Sequence, residues 1–208
     1  MFPTLTRDEV FRIETRRLWL RWPRAEDAIG MAAWVGKPEV ATMTSSFRVG
    51  MTETEIAARL ELARASNTEG RGLRFTIVPQ GADDTAVGMV GVGFKPDGKL
   101  ELGYHLDPVH WGRGLMSEAV TGLAAQVFEL TSAAKIDASV QPHNAASIRV
   151  LEKCGFVCSG GGEHESTVHG RHLVRHYALA RSRPSALLSA YQRSNAVPEL
   201  AHELVGLV

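Results

Sequence analysis

The sequence has few cysteines, no excess of either charge and no long apolar run, and each absence excludes a class of protein. Cys154 and Cys158 do not supply the disulfide framework of a small secreted domain, and their spacing differs from the C-x-x-C of redox and zinc sites. No apolar stretch approaches the ~18–20 residues that span a bilayer, and the first residues lack the regions of a signal peptide. We therefore expect a cytoplasmic protein with no membrane partner.

The charges balance, which argues against a nucleic-acid partner. Lys plus Arg and Asp plus Glu each number 23, so the formal net charge is zero. A protein that binds nucleic acid usually shows a basic excess or a basic stripe. The arginines near the start are interpreted as a solvated strand face: Arg12, Arg16, Arg17, Arg21 and Arg24. Hydrophobic residues make up 44% of the chain, enough for a core without disulfides or a structural metal.

Periodicity divides the chain into three parts. Residues 1–11 show none and are expected to form a loose N-terminal arm. Residues 12–181 carry helix and strand patterns and are predicted to form one domain. Residues 182–208 are interrupted by Pro184 and Pro198 and form a tail, for which a docking arm, a dimer contact and disorder all remain open.

The order of the predicted elements indicates a mixed α/β fold. Alternating hydrophobicity predicts strands at residues 12–22, 73–79, 86–94, 99–106, 135–141, 156–158 and 171–180. Helical spacing predicts helices at 25–35, 38–43, 52–65, 117–130 and 144–154, the third opening on a Thr52–Glu55 capping box. Strands 73–106 form a meander in which Gly88, Gly91 and Gly93 leave little side-chain bulk. We therefore predict a twisted, mostly antiparallel sheet with helices on both faces.

A glycine-containing turn precedes the helix predicted at residues 117–130. Trp111-Gly112-Arg113-Gly114-Leu115-Met116 joins a predicted strand to a helix. A helix start exposes unpaired backbone N–H groups and carries partial positive charge, so an anion such as a pyrophosphate fits there. Alone the turn is weak evidence, since it is neither a P-loop nor a dinucleotide fingerprint.

A second segment follows the next strand. Asn144 suits the N-cap of a helix, Ser147 lies about one turn further on, and Gly155 suits its C-cap. Asn144 could serve only as a helix cap, and Ser147 could be an ordinary hydroxyl on the helix surface.

These segments resemble the GNAT superfamily of N-acetyltransferases, and most closely its branch of ribosomal-protein N-terminal acetyltransferases. The resemblance covers about residues 12–180. It rests on Glu14–Arg21, Lys37–Val40, Glu101–Leu106, Trp111–Gly114 and Asn144–Phe156. It implies an enzyme that moves an acetyl group from acetyl-CoA, its co-substrate, to a primary amine. It also implies a GNAT-type sheet and allows a homodimer.

The resemblance assigns the cofactor-binding residues, with one departure. They are Leu106, Trp111, Gly112, Arg113, Gly114, Leu115, Met116, Asn144 and Ser147. The family's loop reads Gln/Arg-x-x-Gly-x-Gly/Ala, whereas this chain has Trp111 first and Met116 last. The fourth and fifth predicted strands, 99–106 and 135–141, would splay apart so that the pantetheine arm pairs with a strand edge. A backbone N–H near Leu106 would polarise the thioester.

The resemblance also suggests the catalytic residues. Glu101 would accept the amine's proton, directly or through a water, and Ser147 would stabilise or protonate the leaving thiolate. Tyr104 is a rival acid, although it should face away from Glu101, three positions earlier on one strand. Trp34, Phe47 and Tyr104 are expected in the substrate pocket.

Several alternatives remain open at this stage. The acceptor could be a protein N-terminal amine or a small-molecule amine. A catalytically inactive CoA-binding sensor or scaffold would need neither Glu101 nor Ser147. The histidines at 164, 169, 172 and 176 lack a known metal spacing, so no metal site is predicted.

Overall fold

An eight-stranded sheet forms the framework of the computed structural model, which describes residues 1–81, 84–166, 168 and 170–181. In chain order the strands are β1 (Ile13–Glu14), β2 (Leu18–Arg21), β3 (Gly72–Pro79), β4 (Gly88–Phe94), β5 (Leu100–Leu106), β6 (Lys135–Val140), β7 (Val157–Ser166) and β8 (Gly170–Ala180). In space they run β1-β2-β3-β4-β5-β6-β8-β7. Only β5 and β6 are parallel among the described strands.

Helices cover both faces of the sheet, as predicted. They are α1 (Asp27–Met31), α2 (Pro38–Ala41), α3 (Glu53–Thr68), α4 (Leu115–Leu130) and α5 (Ala145–Lys153). The first three share one buried cluster with Met89 of β4. The last two share a larger cluster with Val90 and Val92, which point to the opposite face of the same strand. None of the helices in the described ranges is long and apolar enough to cross a bilayer.

The capping box that opens α3 is present in the structure. The hydroxyl of Thr52 accepts from the Glu55 backbone N–H at 3.3 Å, and Glu55 Oε2 accepts from the Thr52 N–H at 2.9 Å. The helix runs one turn further than predicted. The side chain of Asn67, in that extra turn, is fully buried and exchanges two hydrogen bonds with the backbone of Arg74 at 2.9 Å each.

The predicted splay is present between β5 and β6. The two strands are paired at Glu101–Asp137 and Leu102–Ala138 alone. Beyond these residues β6 leaves β5 and stays paired with β8 as far as Val140. The second half of β5 therefore has an open edge.

The first predicted strand is in fact a hairpin. Ile13 pairs with Leu20 and Glu14 with Trp19, so the chain reverses at residues 15–17. The Thr15 N–H donates to the Leu18 carbonyl at 2.9 Å, and the Leu18 N–H donates to the Thr15 hydroxyl at 3.1 Å. Hydrophobic alternation continues across this turn, which is why periodicity alone did not find it. The splay consequently separates the fifth and sixth strands of the structure.

Two other segments are more ordered than their composition indicates. Phe2 is buried against Phe94 at a ring distance of 5.3 Å, so the start of the chain packs on the core and is not loose. Strand β7 extends through Ser166 although its residues are mostly glycine or polar, because the backbone pairs with β8 along its length. Residues 182–208 lie outside the described part of the chain.

Candidate active site

A single cavity of about 1130 Å³ runs through the gap between β5 and β6. It is lined from one face of the sheet by Tyr104 and Ser147, and from the other by Phe47 and His105. The N-terminal turn of α4 forms part of its wall. The cavity therefore joins the start of α4 to a pocket on the opposite face.

The glycine-containing turn joins a short 3-10 helix, Pro108–His110, to α4, which begins at Leu115, two residues before the predicted start. Gly112 and Gly114 adopt φ values of +74° and +73°, in the left-handed region where a side chain is strained. Gly114 is the N-cap of α4 and makes no side-chain cap, so the first N–H groups of the helix stay available. The turn is thus suited to hold a diphosphate on backbone donors.

Two cations that sequence reasoning did not assign to this site lie beside Gly114. A Cβ placed on Gly114 would be 3.8 Å from Arg17 Nη2 and 3.9 Å from Lys153 Nζ. Arg17 is held there by Glu118, whose carboxylate lies 2.6 Å from Arg17 Nε, and it also donates to the Arg113 carbonyl at 3.1 Å. Because Arg17 lies in the β1–β2 turn and Lys153 ends α5, only the tertiary structure brings them together.

The indole of Trp111 connects the turn to β5. Its Nε1 donates to the Leu106 carbonyl at 2.8 Å. This contact accounts for a tryptophan at the first position of the loop, where the resemblance expected glutamine or arginine.

The open edge of β5 presents backbone donors to the gap. The Asp107 N–H donates to Val87 on the β4 side at 2.8 Å. Because amide directions alternate along a strand, the N–H groups of Leu106 and Tyr104 point toward β6, which has already diverged. These N–H groups are therefore placed to bind an extended chain in the gap.

Ser147 and Tyr104 form one hydrogen-bonded pair. The two hydroxyl oxygens lie 2.7 Å apart, and the Tyr104 hydroxyl also lies 3.1 Å from the Ser147 carbonyl. Asn144 caps α5 by accepting from the Ser147 N–H at 3.0 Å, which fixes the serine. Burial raises the pKa of Tyr104 well above its usual range, so the phenol stays protonated and can donate.

Glu101 lies on the opposite face from Tyr104, as strand parity predicted. Its carboxylate pairs with Lys95 at 2.6 Å and accepts from the Ser139 hydroxyl at 3.3 Å. Ser139 Oγ is also 3.2 Å from His176 Nδ1. Glu101 therefore sits at the cavity wall in a chain of polar groups that leads to β8.

His105 is a feature of the pocket that sequence reasoning missed. Its ring packs against Phe47 at 4.5 Å and Trp34 at 5.7 Å. Its Nε2 is buried and has no hydrogen-bond partner among the described residues. Phe47 lines the cavity, whereas Trp34 is buried behind His105. Tyr104 lies on the other face and does not join them.

Burial lowers the pKa of His105 to about 3. An unfolded histidine has a pKa near 6.5, so below that pH the unfolded chain takes up a proton that the folded chain refuses. Folding stability should therefore fall by about 2 kcal/mol between pH 7 and pH 5 through this residue alone. We expect His105→Phe to reduce that loss, measured by urea unfolding at the two pH values. An equal loss in both proteins would contradict the assignment.

The described histidines among those considered in the sequence analysis lie on β7 and β8. His164 and His172 face each other across β7 and β8 with ring centroids 5.5 Å apart, while His176 contacts Ser139. His169 lies outside the described residues. Cys154 is half-buried and Cys158 exposed, both as free thiols.

A split sheet, a helix start with cations beside it and a cavity through the gap are the features that the resemblance implies for an acyltransferase using a CoA thioester. Residues 17–157 match the acetyltransferase (GNAT) domain family. The chain belongs to this family and is an acetyl-CoA-dependent acyltransferase.

Relatives at the sequence and structure levels agree with this assignment. The chain is 29% identical over 171 residues to the uncharacterised N-acetyltransferase p20 of Bacillus licheniformis, covering 81% of this chain and 88% of p20. It is 30% identical over 164 residues to the uncharacterised N-acetyltransferase YoaA of Bacillus subtilis strain 168, covering 77% and 86%. Mycobacterium smegmatis RimJ in complex with CoA-disulfide has a TM-score of 0.72 at 22% identity, covering 86% of this chain and 90% of RimJ.

Proposed function

We propose that this protein acetylates a primary amine by direct attack of the amine on acetyl-CoA in a ternary complex. The observation that carries the proposal is the gap between β5 and β6, which links the helix start at Gly114 to a pocket containing Glu101. No covalent enzyme intermediate is needed, and neither cysteine takes part.

The cofactor site fits the parts of acetyl-CoA. The diphosphate would bind the N–H groups at the start of α4, with Arg17 and Lys153 supplying positive charge. The pantetheine arm would pair with the free edge of β5, as an added strand does. The Leu106 N–H would then donate to the thioester carbonyl, and acetyl-CoA supplies the activated acyl group.

Glu101 would accept the proton of the attacking amine. It lines the cavity and is kept in place by Lys95 and Ser139. The need for this base depends on the acceptor, because an α-amine has a pKa of ~7.7–8.0 and a lysine side chain ~10.4. His105 stays neutral near pH 7 and offers a second polar atom on the same face.

The Ser147–Tyr104 pair would stabilise the leaving thiolate. Ser147 lies toward the cavity and Tyr104, a protonated donor, hydrogen-bonds to it. In this arrangement the two candidate acids act together: Ser147 would contact the thiolate, and Tyr104 would hydrogen-bond to Ser147.

The acceptor, the compartment and the assembly state are the remaining parts of the proposal. A protein N-terminal amine and a small amine both fit the chemistry. Cytoplasmic localisation and a homodimer, with the tail at 182–208 as a contact, stay predictions.

Acetyl-CoA binding and thiol release test the proposal. Acetyl-CoA at ~100 times its dissociation constant should stabilise the fold by about 2.7 kcal/mol, seen as a rise in melting temperature. A panel of peptides, amino acids and polyamines should then release free CoA with at least one amine. Binding without release from any amine would favour the inactive sensor, and no binding would exclude both.

Ser147→Ala should lower kcat about 10- to 100-fold, the value of one hydrogen bond to the charged leaving thiolate, and leave the acetyl-CoA affinity nearly unchanged. Tyr104→Phe should produce a smaller loss, and the double variant should lose less than the sum of the two free energies. Stopped assays of thiol release give the rates. A Ser147→Ala enzyme with wild-type kcat would remove this residue from the mechanism.

A further inference from the structure

An arginine that lines the cavity has no carboxylate partner among the described residues. Arg74, on β3, lines the same cavity as Glu101 and His105. Within the described residues its guanidinium makes a single hydrogen bond, from Nη1 to the Ser66 hydroxyl at 2.6 Å. The neighbouring charges are already paired, Arg71 with Glu69 and Lys95 with Glu101. An arginine offers five N–H donors, so most of its capacity is unused.

The sheet is shaped to hold this side chain flat across it. A Cβ on Gly91 would lie 2.8 Å from Arg74 Cγ, and a Cβ on Gly93 would lie 2.7 Å from Arg74 Nη2. A side chain at either position would displace the arginine. The buried amide of Asn67 also clamps the Arg74 backbone through two hydrogen bonds. The arginine is therefore built into the pocket and is not a mobile surface group.

The charge of Arg74 is poorly compensated. Burial is the main cause that lowers its pKa, and nearby Arg71 adds to the effect, yet a guanidinium stays protonated at neutral pH. Arg74 is half-buried. A partly desolvated cation with no counter-ion among the described residues is costly, and an anion that enters the pocket relieves the cost.

The position of Arg74 suits one end of a small substrate. Gly93 lies beneath the guanidinium and pairs with Glu101 on the next strand. The backbones of these two residues are one strand spacing apart, about 5 Å. The diphosphate site at Gly114 is on the other side of the gap, so Arg74 is not needed for CoA. Resting on the proposed acetyl transfer, we infer that the acceptor is a small amine that also carries a carboxylate or phosphate, whose anion binds Arg74 while its amine faces Glu101.

Paired amines test this inference. β-Alanine is compared with β-alaninamide, and O-phosphoethanolamine with ethanolamine. In each pair only the first amine carries an anion, which is a carboxylate in the first pair and a phosphate in the second. The expected result is a kcat/KM higher by about 10- to 100-fold for at least one anionic member, the value of a charge-assisted hydrogen bond. Arg74→Met should remove that preference by raising KM for the anionic member.

Two further variants keep the test independent of folding defects. Gly93→Ala retains the arginine but crowds Nη2, and it should reduce the same preference. Arg12→Gln, which removes an exposed arginine outside the cavity, should change nothing. Equal rates within both pairs, or no reaction and no protection from heat by either anionic amine, would overturn the inference. Acetyl-CoA stabilisation and acetylation of other amines would then still report on the proposed function separately.

Discussion

Replacing Gly114 with valine is expected to weaken acetyl-CoA binding about 100-fold or more. The residue has a φ of +73°, which a β-branched side chain adopts only with strain. Relief of that strain would rotate the first N–H groups of α4 away from the diphosphate, and each charge-assisted hydrogen bond lost costs about 1.5–3 kcal/mol. At an acetyl-CoA concentration that stabilises the wild type by ~2.7 kcal/mol, the variant should gain only about 0.4 kcal/mol. Thermal unfolding with and without the ligand measures both.

Gly98→Val is the matched control for backbone strain. Gly98 has a φ of +79°, has no atom within 4 Å of an added Cβ, and lies in the turn between β4 and β5 outside the cavity. It should lower the melting temperature of the free protein but leave the acetyl-CoA shift intact. A Gly114→Val protein that is stabilised as strongly as Gly98→Val would refute a diphosphate site at this turn.

Glu101→Gln is expected to lower kcat/KM about 100- to 1,000-fold at neutral pH, within the range for a general base. Glutamine keeps the size and can still accept from Ser139, so the pocket should persist. The loss should shrink as pH rises toward the pKa of the amine, because a growing share of the acceptor is then already neutral. Rates of thiol release from pH 7 to 10, with acetyl-CoA binding measured in parallel, provide the comparison.

Glu163→Gln removes a carboxylate of the same type without touching the cavity. Glu163 is exposed on β7 and pairs with Arg171 at 3.4 Å. Its rates should match the wild type at each pH. Wild-type kcat/KM in Glu101→Gln would instead assign the proton transfer to another group, and His105, on the same face, would be examined next.

Local patterns predicted most of the elements because each depends on nearby residues. The Thr52 capping box, the helix at α4 and the meander β3–β5 follow from capping, helical spacing and alternation. The same patterns failed at residues 15–17, where alternation crosses a turn, and at β7, whose glycines and polar residues are held by backbone pairing with β8. Phe2 gave no local signal because it is buried by contact with a distant strand.

By itself the sequence determined the family, the glycine-containing turn before α4, and the opposite orientation of Glu101 and Tyr104, since these depend on residue type and strand parity. Only the tertiary structure decided that Arg17 and Lys153 flank Gly114, that Tyr104 meets Ser147, and that Arg74 lies over glycines in the cavity. Those residues come from separate elements. Their distances are set by how strands pair and helices pack, which no local periodicity encodes.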